Sequence, residues 1–307
     1  MGTRLEGHEQ AVIERLYKWV SDISLKYGIW LFKTYTWIVA TGYFLFYPPS
    51  LKNSLRFYRV LFPEKQLFFH LSCAWKQYHN FTTIFLDRFL LEQSGEIGIT
   101  YSGWEHITSA ARARSGGIIL MSHMGNWEMA AHIMKKKNLN TPLLLFMGSK
   151  QKEQIENIQK QRLEGSGVKV IGVANDKPSS FALIEAIDFL KKGGMVSITG
   201  DRLWHSKQRA VTLPFLGCKV DLPKTPYIFS LLSGAPIFVF FAFRTDEGCY
   251  RLTSSAPIHV KAVSRAAREG AIEKVAGQYA SMLEQAVRKH PHQWYHFSSY
   301  FNNPSKH

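Results

Sequence analysis

The sequence predicts an α/β fold, a mixed central sheet flanked by helices, preceded by a helical N-terminal region. Three observations predict it. Roughly the first 95 residues carry helical periodicity and no strand pattern. After Gly95, short β-branched runs alternate with amphipathic stretches, the pattern of a sheet covered on both faces. At 307 residues, with 46% hydrophobic and 14% aromatic side chains, the chain can bury a large core. The expected division is a helical region at 1–95 and an α/β domain at 96–307.

Residues 8–26 predict an amphipathic helix, with Val12, Ile13, Leu16, Trp19, Val20 and Ile23 at helical spacing. From Gly28 to Pro48 the chain reads GIWLFKTYTWIVATGYFLFYP, with Lys33 as its single charge. That length is enough to cross a bilayer core, but Thr34, Thr36, Thr41, Gly42 and Lys33 dilute it. A helix lying in the membrane interface is at least as good a reading, with a buried core helix as the plain alternative. Glu6, Glu9, Glu14 and Asp22 precede the apolar run, which does not fit a cleavable signal peptide. Pro48-Pro49 ends this segment, and 51–92 reads as helical. Strands are expected at 97–101, 117–122, 142–147, 168–173, 195–200 and 236–243. Helices are expected near 126–137, 151–164, 179–192, 223–233 and 265–289.

Composition narrows the function classes. A disordered chain does not carry this many large apolar side chains. A mean hydropathy of −0.14 leaves no room for many membrane spans. Three Cys do not build a disulfide scaffold and fit a reducing compartment. Lys+Arg exceeds Asp+Glu by 38 to 23, a net charge of +15, which predicts a polyanionic partner. Every block of fifty residues is net positive, and no basic tail exists, so a nucleic-acid arm is not expected. Positive charge with abundant aromatics points to an anionic membrane surface.

The stretch that carries chemistry is Gly116 to Lys137. An apolar strand runs into Ser122-His123, a turn with Gly125 follows, and Asn126 is a good N-cap for a helix from Trp127. His123 then sits at the carboxyl end of a strand, where α/β sheets place their sites. Glu128, in the first helical turn, can reach back across the turn to the imidazole. A carboxylate holding one ring nitrogen leaves the other to act as general base. The plain alternative is a structural His beside a solvated Glu.

The stretch SHMGNWE resembles the His-x4-Asp/Glu motif of the lysophospholipid acyltransferase superfamily. With Gly-Asn-Trp-Glu it is similar to the branch of the bacterial lipid A late acyltransferases. Arg162 in IQKQRLEGSGVKVIG resembles the family's second motif. SITGDR, with Gly200, Asp201 and Arg202, resembles the third, and Pro236 in SGAPIFVFF the fourth. PHQWYHF at 291–297 resembles the family's C-terminal ending.

The resemblance implies transfer of a fatty acyl chain from a thioester, acyl carrier protein or acyl-CoA, to a hydroxyl or amine of a lipid acceptor. A lipid A-type glycolipid is the first acceptor, with another lipid or a non-catalytic lipid-binding role as alternatives. His123 would deprotonate the acceptor, and Glu128 would orient the ring. Backbone N–H groups near Gly125, Asn126 and Trp127, or a basic side chain, would meet the oxyanion. Arg162 and Arg202 would bind phosphate, and Asp201 would position the acceptor or pair with Arg162. The resemblance implies no metal and no cofactor, and a place at the cytoplasmic face of a bacterial inner membrane. Two His-containing groups are read as structural: Cys73 with His70 and His79 in a helical run, and His290, His292 and His296 in an exposed C-terminal segment.

Overall fold

The computed structural model describes residues 15–17, 19–94, 97–126, 129, 141–148, 169–173, 180–204, 208–245 and 248–301. The chain forms two compact units, Met1–Gly98 and Ile99–His307.

The first unit is helical. After helical residues 19–27 come α1 (Trp30–Phe46), α2 (Pro48–Leu61) and α3 (Leu67–Ser94). Pro48 occupies the first turn of α2, where its missing N–H costs nothing. The stretch read as helical over 51–92 is interrupted at Phe62–Gln66, because Pro63 cannot continue a helix. In α1 only Phe32, Thr36 and Ala40 are buried, a stripe at fourth-residue spacing. Phe32 stacks on Phe89 of α3 at 4.8 Å, and Phe44 meets Trp75 edge-on at 5.2 Å. The opposite face of α1 is open, with Trp30, Trp37, Ile38, Tyr43, Leu45 and Phe46 exposed. α1 spans 17 residues, and no helix among the described residues is long and apolar enough to cross a membrane.

The second unit is built on a seven-stranded mixed sheet flanked by helices. Its strands are β1 (Ile99–Ser102), β2 (Gly117–Met121), β3 (Leu143–Gly148), β4 (Lys169–Val173), β5 (Met195–Thr199), β8 (Ile237–Arg244) and β9 (Tyr250–Ser254). Their spatial order is β1-β9-β8-β2-β5-β3-β4. Every pairing is parallel except β8 with β9. The central strands β2 and β8 are buried on both faces, as continuous apolar runs such as GIILM require. The helices are α4 (Trp104–Arg112), α5 (Ser180–Lys191), α6 (Thr225–Ser233) and α7 (Arg268–Lys289).

A separate hairpin, β6 (Ala210–Phe215) and β7 (Cys218–Pro223), packs on α7. Leu216 and Gly217, both at positive φ, form its two-residue turn. Such a conformation is strained for leucine, and the Leu216 N–H is held by Glu284 Oε2 of α7 at 2.8 Å. The hairpin, β9 and α4 escape the sequence reading. Pro214 and Pro223 mask the alternating pattern, and two-stranded ribbons tolerate Pro where central strands do not. The helices expected near 126–137 and 151–164 lie outside the described residues, apart from Asn126 and Met129.

Candidate active site

The site arises from strand register. β2 and β5 run parallel side by side, with Met121 opposite Thr199. His123 lies two residues beyond the end of β2, and Asp201 two residues beyond the end of β5. Equal overshoot on neighbouring parallel strands brings them together across 78 residues of chain. His123 Nδ1 lies 2.9 Å from Asp201 Oδ1, and the His123 backbone N–H donates to Asp201 Oδ2 at 2.9 Å. Trp294 Nε1 donates a third bond to Oδ2 at 3.0 Å.

Asp201 is fully buried. Burial alone would raise its carboxyl pKa, but the neighbouring His123 charge and the bonds from the ring and backbone of His123, with His296 close by, hold it well below the usual carboxylate range. An ionised carboxylate can only accept hydrogen bonds. The proton of that contact therefore sits on Nδ1, which leaves the lone pair of His123 on Nε2. The His123 side chain is 17% exposed, so the ring is anchored on one side and reachable on another.

The loop carrying His123 is stitched into the sheet and the C-terminal segment. The Gly125 N–H donates to the Gln293 carbonyl at 2.7 Å, and the Asn126 N–H to the Ala242 carbonyl at 3.0 Å. The Tyr295 N–H donates back to the His123 carbonyl at 2.8 Å. Gly125 has φ +68°, and a Cβ there would overlap the Ala242 carbonyl oxygen. Only glycine allows this approach. Gln293 grips the end of β8 with both ends of its amide: Oε1 accepts from the Arg244 N–H at 2.9 Å, and Nε2 donates to the Arg244 carbonyl at 2.8 Å. Two further positions close the floor: Tyr279 O–H of α7 donates to the Met121 carbonyl at 3.0 Å, and Gly200 lies against Leu120 and Tyr279.

A family model described as bacterial lipid A biosynthesis acyltransferase matches residues 80–303. The chain belongs to that family. No curated protein matches it. Lipid A acyltransferases move acyl groups to lipid acceptors, and the matched span contains the entire His123–Asp201 assembly.

The residues singled out from sequence fall as follows. The oxyanion role expected of Gly125 and Asn126 requires a correction: the Gly125 N–H is bonded to the Gln293 carbonyl and the Asn126 N–H to the Ala242 carbonyl, so both donors are spent on holding the loop. Asn126 is buried; its carbonyl accepts from the Met129 N–H at 3.2 Å, a turn-like bond, and its side-chain amide donates to Tyr250 O–H at 3.2 Å. Asp201 is brought onto His123, a contact that the sequence reading did not consider. Arg202 follows it and acts electrostatically on His296. Glu128 and Arg162 lie outside the described residues, and so do the roles expected of them. His290 and His292 are half-buried.

His296 requires a correction. Expected in an exposed segment, it is 3% exposed, with its ring 6.1 Å from that of His123. The aromatic run 294–301 folds inward: Trp294, Tyr295 and Phe301 are buried, and Tyr300 meets both Trp294 and His296 edge-on. Gln293, Trp294, Tyr279 and His296 were missed as site residues. The signal available was the density of Trp, Tyr and Phe in WYHFSSYF, which is apolar enough to be core. His70 and His79 stay with the helical unit: His70 Nε2 lies 3.0 Å from the Phe62 carbonyl, and His79 packs on Trp75 at 4.2 Å.

Proposed function

We propose that this chain is a membrane-associated acyltransferase that moves a fatty acyl group from an acyl thioester to a hydroxyl of a lipid acceptor. The His123–Asp201 contact is the observation that carries the reading. His123 Nε2 takes the proton of the acceptor hydroxyl, and the oxygen attacks the thioester carbonyl. Asp201 holds Nδ1–H, fixes the tautomer and stabilises the imidazolium. As the tetrahedral intermediate collapses, the C–S bond breaks and the imidazolium returns the proton to the thiolate. A basic side chain meets the oxyanion.

The donor is acyl carrier protein, an acidic partner for a basic enzyme, with acyl-CoA as the other thioester. A lipid A-type glycolipid is the acceptor that the family favours. The place of work is the cytoplasmic face of a bacterial inner membrane. The open aromatic faces of the helical unit support an interfacial attachment, because Trp, Tyr and Lys concentrate at that depth.

The test is transfer from acyl carrier protein thioester to a panel of membrane lipids, with His123→Ala, Asp201→Ala and Glu128→Ala beside wild type. Wild type transfers to at least one lipid, and His123→Ala loses nearly all of it. Asp201→Ala loses about 10²-fold or more in kcat, the scale of general-base assistance. Comparing it with Glu128→Ala shows which carboxylate orients the ring; the Asp201 contact at Nδ1 supports Asp201. Full transfer by His123→Ala would sink the mechanism.

A further inference from the structure

Behind the His123–Asp201 pair lies a set of polar groups that the transfer reaction does not use. Among the described residues, neither ring nitrogen of His296 has a hydrogen-bond partner, nor does the Tyr300 hydroxyl or that of Tyr227 on α6. All four atoms are buried. Leaving a buried polar group unsatisfied forfeits its hydration with nothing in return, so a cluster of them beside an ionised carboxylate calls for a shared hydrogen-bonding partner. Groups of this kind are what buried waters bridge.

These groups surround Asp201 from several elements. His296 and Tyr300 come from the C-terminal segment, Tyr279 from α7, and Arg202 follows Asp201 itself. Asp201 acts electrically on His296, Tyr279 and Tyr300, and Tyr227 acts on both tyrosines. Burial pushes the His296 ring pKa down to about 3, with His123 and Arg202 adding to that and Asp201 opposing it. The Ser298 main chain lies nearby but makes no hydrogen bond of good geometry. His296 is thus a neutral imidazole, offering one donor and one acceptor at the back of the catalytic carboxylate.

We propose that His296 is a positioning residue of the acyl-transfer site, joined to Asp201 through an enclosed water that its ring and the Tyr300 hydroxyl hold. Its effect reaches the reaction through Asp201 and His123. A donor directed at the carboxylate shares its negative charge, which otherwise falls on the ring and backbone N–H of His123 and on Trp294. Removing the donor concentrates that charge on His123 Nδ1–H, so the imidazolium becomes more stable and His123 harder to deprotonate. The inference rests on the transfer reading for its purpose, but not for its detection.

The experiment follows the ring nitrogens of His123 by NMR across pH in the full chain, assigned by the loss of signal in His123→Ala. His296→Phe keeps an aromatic ring without its polar atoms, and His296→Asn restores a donor and an acceptor. Tyr300→Phe removes only a hydroxyl, so it supplies the same test should His296→Phe fail to fold. The expected result is a rise of about one pH unit in the His123 midpoint for His296→Phe, a smaller rise for Tyr300→Phe, and a return toward wild type in His296→Asn. An unmoved His123 midpoint in folded His296→Phe and Tyr300→Phe would overturn the proposal and leave His296 as packing alone. A shifted midpoint in a protein that transfers no acyl group to any lipid would uphold the coupling and overturn the transfer reading instead.

Discussion

Asp201 and His296 show how one buried acid and one buried base divide the work. Asp201 stays charged because the His123 charge and the bonds from its ring and backbone, with His296 close by, outweigh burial. It therefore stabilises the fold above its ordinary value of 3.8, and that contribution fades as pH falls below it. His296 acts in a higher window. Its folded value of about 3 lies below the ordinary 6.5, so between the two the unfolded chain binds a proton that the folded chain refuses. Stability therefore drops as pH falls from 6.5 toward 3, with this one group contributing up to about 1.4 kcal/mol per pH unit. Urea unfolding of wild type and His296→Phe across that window checks this. The variant loses stability overall, but its slope against pH flattens by about one proton. Parallel slopes would mean that His296 titrates in the folded protein as it does in water.

At the scale of elements, strand periodicity was the most legible signal. GIILM, MVSIT and IFVFFAFR announce buried strands, and the structure forms each within a residue or two of its expected bounds. What periodicity does not carry is partnership. That β2 lies beside β5, with Met121 level with Thr199, depends on the topology of the whole sheet. For that reason the sequence reading gave Asp201 to the acceptor or Arg162, while the structure puts it on the His123 ring. The hairpin at 210–223 was hidden for a local reason, since two prolines and a leucine at positive φ contradict ordinary strand and turn chemistry. The C-terminal segment was misjudged for a compositional one. Three His suggested exposure, whereas Trp294 and Phe301 draw His296 inward.

At the scale of the whole molecule, the helical unit leaves large apolar side chains open to solvent. Phe46 and Phe68 are each 82% exposed, and Trp19, Trp30, Trp37 and Tyr43 stand more than half open. Soluble proteins rarely present so much aromatic surface without a partner. In the proposed setting that partner is the lipid interface, and the charge of +15 adds attraction to anionic headgroups. Flotation with anionic vesicles checks this. The full chain floats, and replacing Trp30, Phe46 and Phe68 together by Ser lowers partitioning roughly tenfold or more, with helix content unchanged. Undiminished flotation would remove the aromatic face from the account.

The central claim is that His123 and Asp201 act as one catalytic unit. A double-mutant cycle measures it directly: kcat for acyl transfer by wild type, His123→Ala, Asp201→Asn and the double variant. Groups that act through each other lose their effect together. The account predicts that Asp201→Asn alone costs about 10²-fold or more, and that adding it to His123→Ala costs almost nothing further. Losses that multiply independently in the double variant would contradict it.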